Sequence, residues 1–209
     1  MTTERRAAIL LLGPTGAGKT PLGDQMAAQG LAGRRCVHCD FGANLRAVGA
    51  GKWRPDGLSD SDIGVVRDSL RTGALLEDHH FYIAAAVVRG VMARESVAAA
   101  DLLILNGMPR HVGQAAAVDD IVSMHGVVWL DCPAEVVVER IRLDSGGDRG
   151  GRVDDALDAV VRKLETFRLR TVPLLDHYRA LGVRIASVTV GVDTQPAEVV
   201  AAVERTFAQ

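Results

Sequence analysis

The octapeptide Gly13-Pro14-Thr15-Gly16-Ala17-Gly18-Lys19-Thr20 fits the pattern G-x-x-x-x-G-K-[ST] at every position and directly follows the apolar run Ala7-Ala8-Ile9-Leu10-Leu11-Leu12. No other feature constrains the chain as much. Glycines let the backbone turn with its N–H groups inward to cradle phosphate, Lys19 supplies a point charge for β- and γ-phosphates, and the Thr20 hydroxyl can take a magnesium position. A helix is expected to begin where the anion sits, and Pro21 suits its first turn because the amide hydrogen it lacks would have no intrahelical partner there. A glycine-rich turn matching by chance would not also need a strand before it and a helix after it.

A length of 209 residues fits one domain, or one domain with small inserts. With 48% hydrophobic and 24% charged residues the chain reads as neither disordered nor a membrane protein. A net charge of −2 argues against a nucleic-acid surface, so phosphate-binding charge must be local and the partner anion small. Arg5-Arg6 and the apolar run imitate a signal peptide, but the run is too short to span a bilayer and ends in the phosphate loop. It reads as a buried strand in a cytoplasmic, monomeric protein without a membrane partner. Of the three cysteines, Cys36 and Cys39 form one C-x-x-C with no second pair to complete a zinc site. Because that pair lies within a predicted strand and not at a helix start, it reads as core packing and not as a redox centre.

Strands and helices alternate, the pattern of an α/β fold whose five-stranded parallel sheet carries helices on both faces. Beyond the first helix, a strand over 34–39 leads into a segment at 40–46, and Gly49-Ala50-Gly51 and Arg54-Pro55-Asp56-Gly57 break regular structure. Helices are predicted at about 60–71 and 77–95, a strand at 101–105, a helix near 112–125 and a strand at 127–131. A helix opening near Pro133 runs into residues 145–151, where four glycines in seven residues exclude a stable helix and predict a flap. A long helical stretch follows from about 154, kinked or divided at Pro173, then a strand at 183–190 and a helix at 196–207. No internal repeat is evident.

Ile104-Leu105-Asn106-Gly107-Met108-Pro109-Arg110, with Gln114 four residues past the arginine, resembles the adenylate kinase signature of an apolar strand followed by D-G-F-P-R and a glutamine. Further pieces extend the likeness over nearly the whole chain. Gly42 and Leu45-Arg46 resemble G-D-x-L-R, residues 73–78 resemble G-x-x-V-x-D, residues 151–155 resemble G-R-x-D-D, and Thr171-Val172-Pro173-Leu174 is similar to T-x-P-L. The resemblance implies a single three-layer domain of the P-loop NTPase type over 1–209, with a helical monophosphate-binding insert at 40–72 and a short lid at 144–152. It implies transfer of the γ-phosphoryl group of ATP, as its Mg2+ complex, to a nucleoside monophosphate, AMP above all.

By that resemblance Gly13, Pro14, Thr15, Gly16, Ala17, Gly18, Lys19 and Thr20 bind ATP. Gly42, Arg46, Gly107, Arg110 and Gln114 bind the monophosphate, Gln114 reading adenine through an amide that both donates and accepts. Lys19, Arg110, Arg140, Arg152 and Lys163 carry the charge of the phosphoryl group in flight, and Thr20 and Asn106 serve the metal. Arginine suits such work because its planar fork matches phosphate oxygens. Taken alone, Arg140 equally fits an exposed helix arginine. The sequence also departs from the family: Asn106 stands in place of an aspartate, Asp144 and Lys163 in place of arginines, and Phe41 and Ala43 in place of a threonine and an aspartate. Two alternatives stay open, a nucleotide-binding sensor with weakened catalysis and a kinase of a small metabolite. His79-His80 cannot chelate from one helix surface, since adjacent residues do not share a face, and Trp53 and Trp129 read as packing residues.

Overall fold

The apolar run before the phosphate loop becomes strand β1 (Arg6–Leu12), buried from Ala7 onward. A strand buried on both faces belongs at the centre of a twice-covered sheet. The computed structural model describes residues 5–147 and 157–207 and has β1 in that position. β2 (Cys36–Asp40), β3 (Leu102–Asn106), β4 (Val122–Asp131) and β5 (Arg184–Thr189) join it in the order β2-β3-β1-β4-β5, every pairing parallel.

Alternation along β1 sorts the core into two layers. Ala7, Ile9 and Leu11 pack under α1 (Lys19–Gln29) and α9 (Pro196–Phe207), whereas Ala8, Leu10 and Leu12 pack under α4 (Phe81–Arg94), α5 (Val112–Asp119) and α8 (Leu174–Ala180). Because α1 leaves β1 for one face and α5 leaves β3 for the other, a crevice opens beyond the C-terminal ends of these two neighbours, where open α/β sheets bind ligands.

Two helices stand past the end of β2. Asp40 caps α2 (Phe41–Gly49) by accepting from the Ala43 N–H at 2.8 Å, and a Ser59/Asp62 capping box starts α3 (Asp60–Thr72). Gly73, with φ of 72°, ends α3 in the left-handed region that glycine adopts without strain. Residues 78–80 form a 3-10 turn, so the helix predicted from 77 begins at Phe81 instead.

The helix predicted near 112–125 ends at Asp119, and Val122–His125 extends β4 instead. Pairing decides this: Arg6, Ala7 and Ala8 of β1 face Val122, Ser123 and Met124, and the register then shifts by one residue at His125, which is left exposed as a bulge. After α6 (Ala134–Leu143), the predicted long helix is three pieces: α7 (Leu157–Thr166), a π-helical turn at Phe167–Thr171, and α8 beyond Pro173. Most of the predicted flap, with Arg149 and Arg152, lies outside the described residues.

Cys36 packs in the layer under α1 and Cys39 in the opposite one, as residues three apart on a strand must. The two thiols therefore cannot bridge, and burial pushes Cys36 up to about 11 and Cys39 to about 12, away from thiolate chemistry. Among the described residues no helix is long and apolar enough to cross a membrane.

Candidate active site

Gly16 and Gly18, with φ of 77° and 91°, let the loop after β1 wind its amides inward, and Gly18 opens α1. Lys19 reaches back over the loop, its Nζ donating to the Gly13 and Pro14 carbonyls at 2.7 and 2.6 Å. The loop floors a cleft of about 1530 Å³, open mouth included, which continues past Phe41, Gly42 and Arg46 of α2 to Asn106, Arg110, Gln114 and Lys163. One cleft thus gathers Lys19, Arg46, Arg110 and Lys163, from four distant stretches of chain.

Arg110 sits on the loop between β3 and α5, which two contacts fasten. The Gln114 Oε1 accepts from the Arg110 N–H at 2.9 Å, and the Thr171 hydroxyl donates to the Arg110 carbonyl at 2.7 Å. The Arg110 guanidinium itself has no hydrogen-bond or ion-pair partner among the described residues, and desolvation lowers its pKa. Such a cation, costly to bury alone, is a ready anion site. Arg46 likewise has no polar partner among the described residues. Gln114 is buried, its Nε2 donating to the Leu76 carbonyl at 2.7 Å, so it ties the arginine loop to the segment beyond α3. It keeps one amide N–H and a second carbonyl lone pair unused by these two bonds.

Asn106, at the end of β3, turns its amide nitrogen toward the phosphate loop. Nδ2 donates to the Thr20 Oγ1 at 3.1 Å, and stands 3.4 Å from the Asp40 Oδ2 and 3.3 Å from the His38 Nε2. The sequence placed Asn106 among the residues serving the metal; in this arrangement it turns a donor nitrogen, not an oxygen, toward Thr20. Asp40 is the residue that sequence reasoning missed. Its Oδ2 accepts from the Thr20 hydroxyl at 2.9 Å, and the signal for it was an acidic residue directly after the predicted strand at 34–39.

Arg140 is not an exposed helix arginine. It is 4% exposed, its Nε donating to the Gly16 carbonyl at 3.1 Å and its Nη1 to those of Gly191 and Val192 at 2.7 and 2.9 Å. It clamps the phosphate loop to the connection between β5 and α9, at the edge of a second pocket of about 510 Å³ that Gly18, Gly146 and Gln195 also line. Arg142 is taken by Glu139 at 2.6 Å. His111, beside Arg110, is buried and stands 3.6 Å from Asp78. No cluster of His, Cys, Asp and Glu among the described residues could hold a metal by itself.

The adenylate kinase of Parvibaculum lavamentivorans is 32% identical to the chain over 184 residues, covering 83% of it and 80% of the relative. That of Xylella fastidiosa is 33% identical, covering 84% and 87%. The chain belongs to the adenylate kinase family. It is a phosphotransferase of the nucleoside monophosphate kinase class. A uridylate kinase of Saccharomyces cerevisiae is also similar, 24% identical over 84% of the chain and 79% of the relative. No family model matches. Among solved structures, a gluconokinase from Sinorhizobium meliloti shares the fold with a TM-score of 0.55 at 17% identity, over 98% of this chain and 94% of the other.

Proposed function

We propose that the protein transfers the γ-phosphoryl group of ATP to AMP in the cytoplasm, forming two molecules of ADP. The observation that carries the reading is the Arg110 guanidinium, half-buried and without a partner among the described residues in the cleft that the phosphate loop floors. A donor triphosphate on the loop amides and Lys19 would face an acceptor phosphate on Arg46 and Arg110, as in-line transfer requires. Lys163 and Arg152 would meet the charge developing between them, Arg152 lying outside the described residues. No side-chain nucleophile is needed, because the acceptor phosphate oxygen attacks directly. Arg140, whose Nε and Nη1 are spent on carbonyls, would act by fixing the loop.

The donor set suits Mg2+, since the Thr20 hydroxyl and the carboxylate beside it offer hard oxygens. Bound there with the triphosphate, the ion would offset phosphate charge during transfer. AMP is favoured among acceptors by the free amide capacity of Gln114 and by the adenylate kinases among the relatives. The test is a coupled assay of ATP with AMP, GMP, CMP and UMP. Turnover with AMP exceeding that with the other three supports the reading; preference for UMP would reassign the base, and no turnover with any would leave a nucleotide-binding protein.

A further inference from the structure

The family's aspartate at position 106 is absent here, yet the place it would serve is not without a carboxylate. Parallel pairing sets Asp40 of β2 directly beside Asn106 of β3, and both side chains converge on Thr20. The Thr20 hydroxyl gives its hydrogen to the Asp40 Oδ2 at 2.9 Å and accepts from the Asn106 Nδ2 at 3.1 Å. With its hydrogen so directed, the remaining lone pair of the Thr20 oxygen is left for the cleft that both residues line.

We propose that Asp40 is the positioning carboxylate of the magnesium site, one strand spacing from position 106, and that Asn106 holds Thr20 against it. This rests on the kinase reading above. Asp40 would act on Thr20 and on water bound to the ion, since magnesium keeps several waters when it binds proteins. Two carboxylates at positions 40 and 106 would meet at about the 3.4 Å that separates Nδ2 from Oδ2 now, and like charges that close cannot both ionise at ordinary cost. An amide at 106 removes the conflict because it carries no charge.

The rest of the network is built to the same end. The Asp40 Oδ1 is fixed by the Ala43 N–H, so its Oδ2 is aimed. His38 Nδ1 stands 2.8 Å from the Asp24 carboxylate, so in the neutral ring its Nε2 is the acceptor for the second Asn106 N–H at 3.3 Å. Asn106 is thereby held with its nitrogen, not its oxygen, toward the ion site.

Electron paramagnetic resonance of Mn2+ bound with a non-hydrolysable ATP analogue tests this without turnover. Asp40→Asn keeps the helix cap, because asparagine caps as well as aspartate. It is expected to weaken Mn2+ binding by roughly 10- to 100-fold, the usual cost of losing a group that orients a metal's ligands. Asn106→Asp alone should not tighten Mn2+, whereas Asp40→Asn combined with Asn106→Asp should recover much of the loss. Unchanged Mn2+ affinity in a folded Asp40→Asn protein, or tighter binding in Asn106→Asp alone, would overturn the proposal. Wild-type protein that binds the analogue equally with and without Mn2+ would remove the kinase reading and this one together.

Discussion

Arg110 concentrates the conflict between stability and binding in one residue. Desolvation lowers its pKa, and nothing among the described residues compensates its charge. Replacing it by methionine, which keeps the stem and removes the charge, should therefore leave ligand-free melting unchanged or raise it. The same change should weaken AMP by about 1.5–3 kcal/mol, the range for a charged hydrogen-bonding contact, with little effect on an ATP analogue. Calorimetry with both ligands, beside a melting curve, checks the asymmetry; equal losses would remove the acceptor role. Lys19 is different, because its ammonium also braces the loop through the Gly13 and Pro14 carbonyls. Lys19→Ala should cut turnover by roughly 10²- to 10³-fold, as loss of a transition-state donor does. Its fold should survive with a melting point only slightly lower.

At the scale of elements, α1 is set against β2 by the absence of a side chain. A Cβ at Gly23 would overlap the His38 ring at Nε2, closer than any packing allows. Gly23→Ala should destabilise the protein by about 1–3 kcal/mol, the cost of overpacking a filled core. It should also push the His38 ring away from Asn106, disturbing the end of β3. The double variant Gly23→Ala with His38→Ala relieves the clash, so recovery of most of the lost stability in thermal melts is the expected result. Additive losses would mean that the two residues do not meet. The π-helical turn before α8 has a comparable positioning task, since it brings Thr171 onto the Arg110 carbonyl and Arg170 onto Glu77 at 3.1 Å.

For the whole molecule, three buried thiols make folding sensitive to alkali. Burial raises Cys36 and Cys132 from 9.0 to about 11 and Cys39 to about 12. Unfolded thiols lose their protons near 9 while the folded ones keep theirs, so the unfolded state binds fewer protons and stability falls as pH rises. The loss begins near 9 and continues to about 11–12, and below 9 the thiols contribute no slope. Melts at pH 8 and pH 10 of wild type and Cys39→Ala should show a smaller alkaline drop in the variant. Native protein should also resist a thiol reagent at neutral pH, and rapid modification of Cys36 or Cys39 would contradict the packing.

The phosphate loop, the five strands and the arginine behind β3 were legible in the sequence because each rests on local chemistry. A loop with glycines at fixed offsets, apolar runs of strand length and a strand-end Asn-Gly need no distant partner to be read. The terminal helix was read to its ends at Pro196–Phe207 for the same reason. Where β4 begins was not legible, since residues 122–125 are fixed as strand by pairing with Arg6, Ala7 and Ala8 more than a hundred positions earlier. The burial of Arg140 was hidden likewise, because the carbonyls that hold it belong to Gly16 and to residues 191–194. Local pattern determined which elements form and which residues bear charge; parallel register decided which of them meet. It set Asp40 beside Asn106 and both against Thr20, a juxtaposition of three chain segments that no spacing along the sequence encodes.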